Sequence, residues 1–259
     1  MTEPARRGVP PAMRAILALA VGIALSGHAA ASPSDVGGPG VSKDSKWKMT
    51  LEYKDDGGRS WTLPKVAYST PLSETFEGEV ALSRLRFDHS GGGSTAGVGD
   101  VEFKGKWALV QGDGGARPGV ALEPKLIMPA GSREAGLGVE VPQFELPVLV
   151  AWQGQTFGLY TKAGIRQGFE GERELRRYMG GALVTWQPTP GLRWGLDAYA
   201  EGPRHETSQY KLHTNLGLNW YVSRAIEVQA LVGKSLRHPD DRQAYKAKFV
   251  IEYKFDGRG

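Results

Sequence analysis

The sequence predicts an all-β protein, a closed antiparallel up-and-down transmembrane β-barrel of about 12 strands. Three observations predict this fold. From Trp47 onward, apolar and polar residues alternate with a period of two, which places one set on each face of a strand. No apolar run in this part of the chain is long enough for a membrane helix. The connections between the alternating segments are compact and long in turn, as in transmembrane barrels.

The composition excludes several other classes of protein. The chain of 259 residues contains no cysteine, so it forms no disulfide and no thiolate metal site. A mean hydropathy of -0.35 argues against a bundle of membrane helices. The 36 glycines exceed ordinary usage of about 7% without a triplet period, which excludes collagen. The net charge of +4 comes from basic residues interleaved with acidic ones, so no nucleic-acid binding is expected.

Residues 1–31 are predicted to be a secretory signal peptide. Arg14 precedes an apolar run over 15–25, and small residues follow it, which reproduces the three parts of such a signal. The run is shorter than the roughly 20 residues of a membrane helix. Met13 is an alternative start to Met1, since it keeps the basic residue. Cleavage after residue 31 would export the chain.

The remaining chain is divided into an arm, a barrel and a tail. Residues 32–46 are rich in glycine, proline and serine and are expected to be a flexible arm. The arm is too short to be a folded plug domain but long enough to occlude a lumen. The barrel is expected over 47–255, and its terminal aromatic residue makes the barrel-assembly machinery an expected partner. Residues 256–259 form a short tail.

One predicted strand interrupts the alternation. Apolar residues change face between Leu82 and Leu85, which predicts a bulge near Ser83 or Arg84. The segment 170–177 is the one stretch with a helical pattern. The predicted strands are 47–54, 61–69, 76–87, 99–110, 119–128, 139–152, 156–167, 176–187, 192–201, 211–221, 226–235 and 244–255.

The connections predict the orientation of the barrel. Those after even-numbered strands are compact turns, which in outer-membrane barrels lie on the periplasmic side. Those after odd-numbered strands are mostly longer and charged, and we expect them outside the cell. These long loops are predicted at 88–98, 129–138, 168–175, 202–210 and 236–243.

Aromatic residues at the strand ends predict girdles at the interfaces between membrane and water. In a transmembrane barrel the apolar face meets the hydrocarbon, and aromatic girdles mark its interfaces. Membrane lipid is therefore an expected partner. The predicted girdle residues are Trp47, Trp107, Trp152, Trp186, Trp194, Trp220, Tyr253 and Phe255.

The polar face is predicted to line a lumen. Eight strands leave an interior that side chains fill and sixteen leave an aqueous channel, so about 12 strands predict a narrow interior. Two interpretations stay open: a network of salt bridges that fills the lumen, or a passage that weakly prefers anions. The predicted lumen residues are Lys104, Lys106, Glu123, Lys125, Glu145, Lys162, Arg166, Arg193, Asp197, Asn215, Asn219, Glu227, Lys246, Lys248 and Glu252.

No enzyme activity, metal or cofactor is expected. His213 is the one histidine on a predicted strand, and a Ser–His pair would need Ser223 or Ser235 beside it. The remaining candidates for a metal site lie on predicted long loops, where His and Asp are usually solvated. These loop candidates are Asp88, His89, His205, His238, Asp240 and Asp241.

Short motifs resemble one family. Residues 97–101 (Gly-Val-Gly-Asp-Val), leading into 104–107 (Lys-Gly-Lys-Trp), resemble a strand of the transporter-like outer-membrane proteins grouped with the meta-pathway of phenol degradation. Residues 118–131 are similar to that family's next strand and its loop, and 189–192 and 215–217 resemble its later turns and strands. The resemblance implies a Gram-negative outer-membrane channel for small molecules, such as aromatic compounds. The tail beyond Phe255 departs from the family.

Two hypotheses for the function follow. The favoured one is a passive outer-membrane channel for small aromatic or anionic compounds. The alternative is a structural or receptor-type barrel with a closed lumen, acting through its extracellular loops.

Overall fold

The computed structural model describes residue 34 and residues 36–56, 58–88, 93–114, 117–131, 137–170, 173–203, 207–240 and 242–255. The predicted signal peptide and the C-terminal tail lie outside the described residues. Among the described residues, no helix is both long enough and apolar enough to cross a membrane.

The described chain is almost entirely β-structure. Its strands follow the predicted segments closely, because residues of alternating polarity suit a sheet with different surroundings on its two faces. A single turn of 3₁₀ helix covers Thr207–Gln209. The strands are β1 (Ser45–Asp55), β2 (Arg59–Pro71), β3 (Phe76–Asp88), β4 (Ser94–Val110), β5 (Gly119–Leu122), β6 (Lys125–Met128), β7 (Gln143–Gln153), β8 (Phe157–Glu170), β9 (Arg173–Thr189), β10 (Leu192–Gly202), β11 (Lys211–Tyr221), β12 (Ile226–Arg237) and β13 (Tyr245–Phe255).

The sheet closes on itself. Apart from the short strands β5 and β6, which do not pair with each other, neighbouring strands in sequence pair antiparallel, and β1 pairs with β13 over its whole length, from Ser45↔Phe255 to Asp55↔Tyr245. Both β5 and β6 lie between β4 and β7, so together they take the place of one strand. The break falls at Pro124, which has no N–H to donate to a ladder. Counting β5 and β6 as one interrupted strand, the barrel has 12 strands, and the predicted fold class is confirmed.

The predicted bulge is present, but its extra residue lies on the partner strand. Leu82 pairs with Val101 and Arg84 pairs with Val98, so β4 takes three steps where β3 takes two. The change of face that the sequence showed has another cause. Strand β3 keeps its alternation, and its apolar Leu85 lines the interior of the barrel together with lysine and glutamate side chains.

The connections at one end are short and those at the other end differ from the prediction. The turns at 72–75, 154–156 and 190–191 are compact, as expected. The predicted long loops at 88–98 and 168–175 are mostly strand, because β4 begins at Ser94 and β9 begins at Arg173. The described residues of the segment 170–177, which has a helical pattern in the sequence, belong to β8 and β9. A strand that extends beyond the lipid-facing part of a barrel has water on both faces, so its residues need not alternate in polarity. Such strand ends therefore resemble loops in the sequence.

All eight predicted girdle residues lie at one end of the barrel, the end that carries the short turns and where β1 begins and β13 ends. Trp47 is the third residue of β1 and Trp107 is three residues from the end of β4. The side chains point away from the lumen, and each of these two is about half exposed, at 50% and 51%. Trp47 contacts Tyr68 of β2 at a ring separation of 5.0 Å. The ring is a single belt, and its place at a membrane interface stays a prediction.

Candidate functional site: the lumen of the barrel

The fifteen predicted lumen residues all lie on the inner face of the wall. On β4, for example, Lys104 and Lys106 point inward, while the flanking Phe103 and Trp107 are about half exposed on the outside. Glu145, Arg193, Asp197, Asn215, Asn219, Glu227 and Glu252 are buried. The structure therefore brings these residues together in one interior, although they come from eight of the thirteen strands and from the break between β5 and β6.

One half of the wall carries a continuous chain of ion pairs. Acidic and basic side chains alternate from β2 to β10, so that most charges have an opposite charge on either side. The pairs and their N–O distances are Lys65–Glu102 (2.6 Å), Glu102–Lys125 (3.9 Å), Lys125–Glu145 (3.2 Å), Glu145–Arg166 (2.8 Å), Arg166–Glu201 (2.8 Å) and Arg177–Glu201 (3.0 Å). We call this set the ion-pair chain.

A second set of pairs lies closer to the short-turn end. Glu79 of β3 holds both Lys48 and Lys104, at 3.1 and 3.0 Å. Glu123, at the break between β5 and β6, lies 3.6 Å from Lys106 and 4.0 Å from Lys162. The break in the strand thus places a carboxylate between two lysines of the neighbouring wall.

On the opposite half of the wall, asparagine side chains donate hydrogen bonds to carboxylates. Asn215 Nδ2 donates to Asp197 Oδ1 at 2.6 Å, and Asn219 Nδ2 donates to Glu227 Oε1 at 2.6 Å. Glu227 also accepts from Gln229 at 3.0 Å and pairs with Lys254 at 3.0 Å. The same half also carries the ion pairs Lys246–Glu52, at 3.2 Å, and Lys254–Glu252, at 3.7 Å, so amides and charged groups lie side by side there.

Sequence reasoning missed several of the acidic and basic partners. Lys65 follows the Leu63-Pro64 pair, where the β1–β2 register shifts, so its face could not be read from the alternation. Glu79 stands on β3, whose pattern suggested a change of face. Glu201 and Arg177 lie at the margins of the predicted strands 192–201 and 176–187, where the direction of the side chains was not assigned. Counting inward positions from the bulges would have found them.

The N-terminal arm lies inside the lumen. Val36 has 0% exposure and packs among Ala151, Tyr160 and Leu183 of β7, β8 and β9. The described part of the arm was expected to be flexible, and the structure differs from that expectation. The physical reason is that the wall offers a buried apolar surface at this level, which a single valine is enough to fill.

The arm makes polar contacts at two further levels. Ser34 Oγ forms a short hydrogen bond with Asp197 Oδ2 on β10. Nearer the short-turn end, the Ser42 N–H donates to Glu77 Oε2 at 2.8 Å, and Glu77 also pairs with Lys46 at 3.2 Å. The arm therefore rises from the short-turn end to about the middle of the barrel, in contact with the wall over this distance.

A vestibule opens at the long-loop end. The β6–β7 connection folds against β4, where the Val139 N–H donates to Asp100 Oδ2 at 2.7 Å. Gly138 has φ +109°, and a Cβ there would overlap the Asp100 carboxylate, so this contact requires glycine. The space left beside this connection is a cavity of about 230 Å³, lined by Glu52, Lys54, Ser60, Thr62, Leu85, Phe87 and Gly138.

The candidates for other chemistry are dispersed. His213 faces Ser235 across the β11–β12 pair, whereas Ser223 lies in a turn at the opposite end of β11. His89, His205 and Asp241 fall outside the described residues. Within the described ranges, no cluster of three His, Asp or Glu side chains is arranged to hold a metal ion.

His238 belongs to an ion cluster at the long-loop end. Its Nε2 lies 2.6 Å from Asp56 Oδ1, and Lys211 Nζ lies 2.7 Å from Asp56 Oδ2. Burial raises the pKa of the Asp56 carboxyl, but the hydrogen bond and charge of Lys211 outweigh it and hold this pKa below its usual value. The cluster ties the β1–β2 turn to β11 and to the β12–β13 loop.

The fold is similar to those of known outer-membrane barrels. An outer-membrane channel from Pseudomonas putida F1 superposes with a TM-score of 0.64 at 10% identity, covering 82% of this chain and 96% of that one. The KdgM porin gives 0.54 at 9% identity, covering 80% and 99%. The translocator domain of the autotransporter NalP from Neisseria meningitidis gives 0.52 at 11% identity, covering 83% and 90%.

These likenesses establish the fold. No family model matches the chain, and no curated protein matches it in sequence. The resemblance to the transporter-like family of the meta-pathway of phenol degradation accordingly stays a prediction.

Proposed function

We propose that this chain is an outer-membrane barrel that provides a narrow passage for small molecules. The observation that carries the proposal is the contrast between the two faces of one closed sheet. The outer face exposes large apolar side chains such as Phe103 and Leu196, at 48% and 59%. The inner face is charged. Closure leaves no unpaired edge, which a hydrocarbon environment requires.

The lining supports a preference for anions within that passage. Basic side chains outnumber acidic ones among the predicted lumen residues, and rings of Lys and Arg favour anions in pores. The ion-pair chain keeps these groups in fixed positions, so the bias would be weak. The family resemblance supports small aromatic compounds as candidate permeants.

One observation favours the alternative, a barrel with a closed lumen that acts through its extracellular loops. The arm and the wall side chains occupy the middle of the interior, and Val36 and Leu183 have 0% exposure there. A barrel filled in this way would serve as a scaffold for the long-loop end. The two functions differ in whether the arm occupies the lumen permanently or can leave it.

Planar-bilayer recordings on a barrel that begins at residue 43 separate the two functions. Heat-modifiable migration on a gel first establishes that this shortened barrel is folded. We expect discrete conductance steps and, in a salt gradient, a reversal potential on the anion-selective side. A folded barrel without the arm that never conducts would contradict the passage and favour the scaffold. Fractionation of cells tests the outer-membrane location independently.

A further inference from the structure

We infer that the lumen wall contains a binding site for the chain's own arm, and that the arm is a tethered blocker of the passage. The arm is here the described stretch formed by Ser34 and residues 36–44. The inference rests on the proposed function, because only a passage has a conductance to block. It goes further by identifying the binding site on the wall, which we call the seat, the arm residues that fill it, and the end of the barrel from which the arm enters.

The apolar part of the seat is a pocket for one side chain. Val36 lies between Ala151, Tyr160 and Leu183, which are 4%, 3% and 0% exposed with the arm in place. Tyr199 of β10 borders the same cluster. The pocket is apolar in a wall rich in charged side chains, so it selects the arm at Val36 and not at its other valine, Val41.

The polar part of the seat is a buried carboxylate. Asp197 is 2% exposed, and it accepts hydrogen bonds from Asn215 of the wall and from Ser34 of the arm. The Val36 N–H donates to Ser34 Oγ at 2.8 Å, so the arm is turned in a way that presents both groups at once. The seat thus recognises a hydroxyl and an isopropyl group two residues apart.

The arm fits closely but is not built into the wall. A Cβ on Gly38 would lie 3.2 Å from Tyr160, and a Cβ on Gly181 would lie 3.0 Å from Val36, so small residues on both partners allow the approach. The described arm residues form no strand and pair with none. Side-chain contacts hold the arm, so it can leave without opening the ladder of the barrel.

The tether is short and its anchor is firm. The arm continues directly into β1, where Ser45 is 1% exposed and its Oγ lies 2.8 Å from Thr70 Oγ1 of β2. A tether of this length provides an effective concentration on the order of millimolar. The arm therefore reaches the seat from the short-turn end, and a modest affinity is enough to keep it there.

The first experiment uses the full mature chain with Val36→Asp, which places a charge in the apolar pocket. We expect its open probability in planar bilayers to rise at least tenfold over the unsubstituted chain. The matched control is Val41→Asp, a half-buried arm valine outside the seat, and we expect it to leave the open probability unchanged. A synthetic peptide of residues 34–44 at millimolar concentration should block the Val36→Asp barrel from the short-turn side alone. The same peptide carrying Val36→Asp should not block.

A second variant keeps the test independent of the substitution's effect on folding. A Cβ on Gly119 would lie 2.9 Å from Pro39 Cγ, about the separation of a Cβ from the far sulfur of a disulfide. The chain has no cysteine of its own, so Pro39→Cys with Gly119→Cys adds one defined bridge. Added to the Val36→Asp chain, the oxidised bridge should abolish the gain in conductance, and a reductant should restore it.

The outcomes separate the inference from the function on which it rests. A shortened barrel that conducts, together with a Val36→Asp chain that gates like the unsubstituted one and ignores the peptide, overturns the blocker and leaves the passage. A folded shortened barrel that is silent overturns the passage itself. Bridged barrels that conduct equally when oxidised and when reduced also overturn the blocker.

Discussion

Replacing Glu145 with glutamine should weaken the barrel more than any other single change in the ion-pair chain. The Glu145 side chain is 5% exposed and forms ion pairs with both Lys125, at 3.2 Å, and Arg166, at 2.8 Å. Glutamine has nearly the same shape but no charge, so Glu145→Gln leaves two cations of the wall without their shared partner. Their other partners, Glu102 and Glu201, are retained.

The expected cost follows from this geometry. Removing one member of a buried ion pair costs about 3–5 kcal/mol, and the retained partners place this site at the lower end, at about 3 kcal/mol. The assay is reversible unfolding by urea from phospholipid vesicles, followed by the fluorescence of the 7 tryptophans. Glu140→Gln is the matched control, since Glu140 is exposed in the β6–β7 connection, and it should change the unfolding free energy by less than about 0.5 kcal/mol.

Unfolding of Glu145→Gln at the same urea concentration as the unsubstituted barrel would contradict this prediction. Such a result would mean that water in the lumen solvates Lys125 and Arg166 fully, so that the ion-pair chain contributes nothing to stability.

Four further predictions use other parts of the barrel. Leu126→Arg puts a charge on the outer face of β6 and should destabilise the barrel in vesicles by about 2–4 kcal/mol; an unchanged urea midpoint would argue that this face does not meet lipid. Val36→Ala removes about 1.6 kcal/mol of apolar burial from the seat and should raise the open probability about tenfold in bilayer recordings. The lowered pKa of Asp56 means that its ion cluster stabilises the long-loop end above about pH 4 and loses this contribution as the pH falls further, which hydrogen exchange of the β1–β2 turn should follow and Asp56→Asn should abolish. A cysteine label at Gly93 should be reached on intact cells, whereas one at Gly112 should be protected, and the reverse pattern would invert the barrel.

The strands could be predicted because the two faces of the sheet have different surroundings. Trp47 and Lys48 can exchange faces only if every other residue of the strand does so too, so the alternation of polarity specifies the register. The girdle was predicted for the same reason, since residues such as Trp107 and Trp194 stand at fixed distances from the strand ends. The inner set followed from the outer one.

The arm and several ion-pair partners could not be predicted. A segment rich in glycine and proline has no period, so nothing in its pattern shows that Val36 fills a pocket built from three strands distant in sequence. Lys65 and Glu79 lie beside register shifts, where one extra residue reverses the face of everything that follows. Both failures concern contacts that exist only after the barrel has closed.

The claim that the arm covers the lumen wall is tested most directly by the reactivity of one cysteine beneath it. Ala151→Cys places a thiol in the seat of Val36, in a chain without other cysteines. A water-soluble thiol reagent should modify it at least tenfold more slowly in the full mature chain than in the same chain carrying Val36→Asp, while Gly93→Cys should react quickly in both. Equal, rapid modification of Ala151→Cys in the two chains would contradict the account.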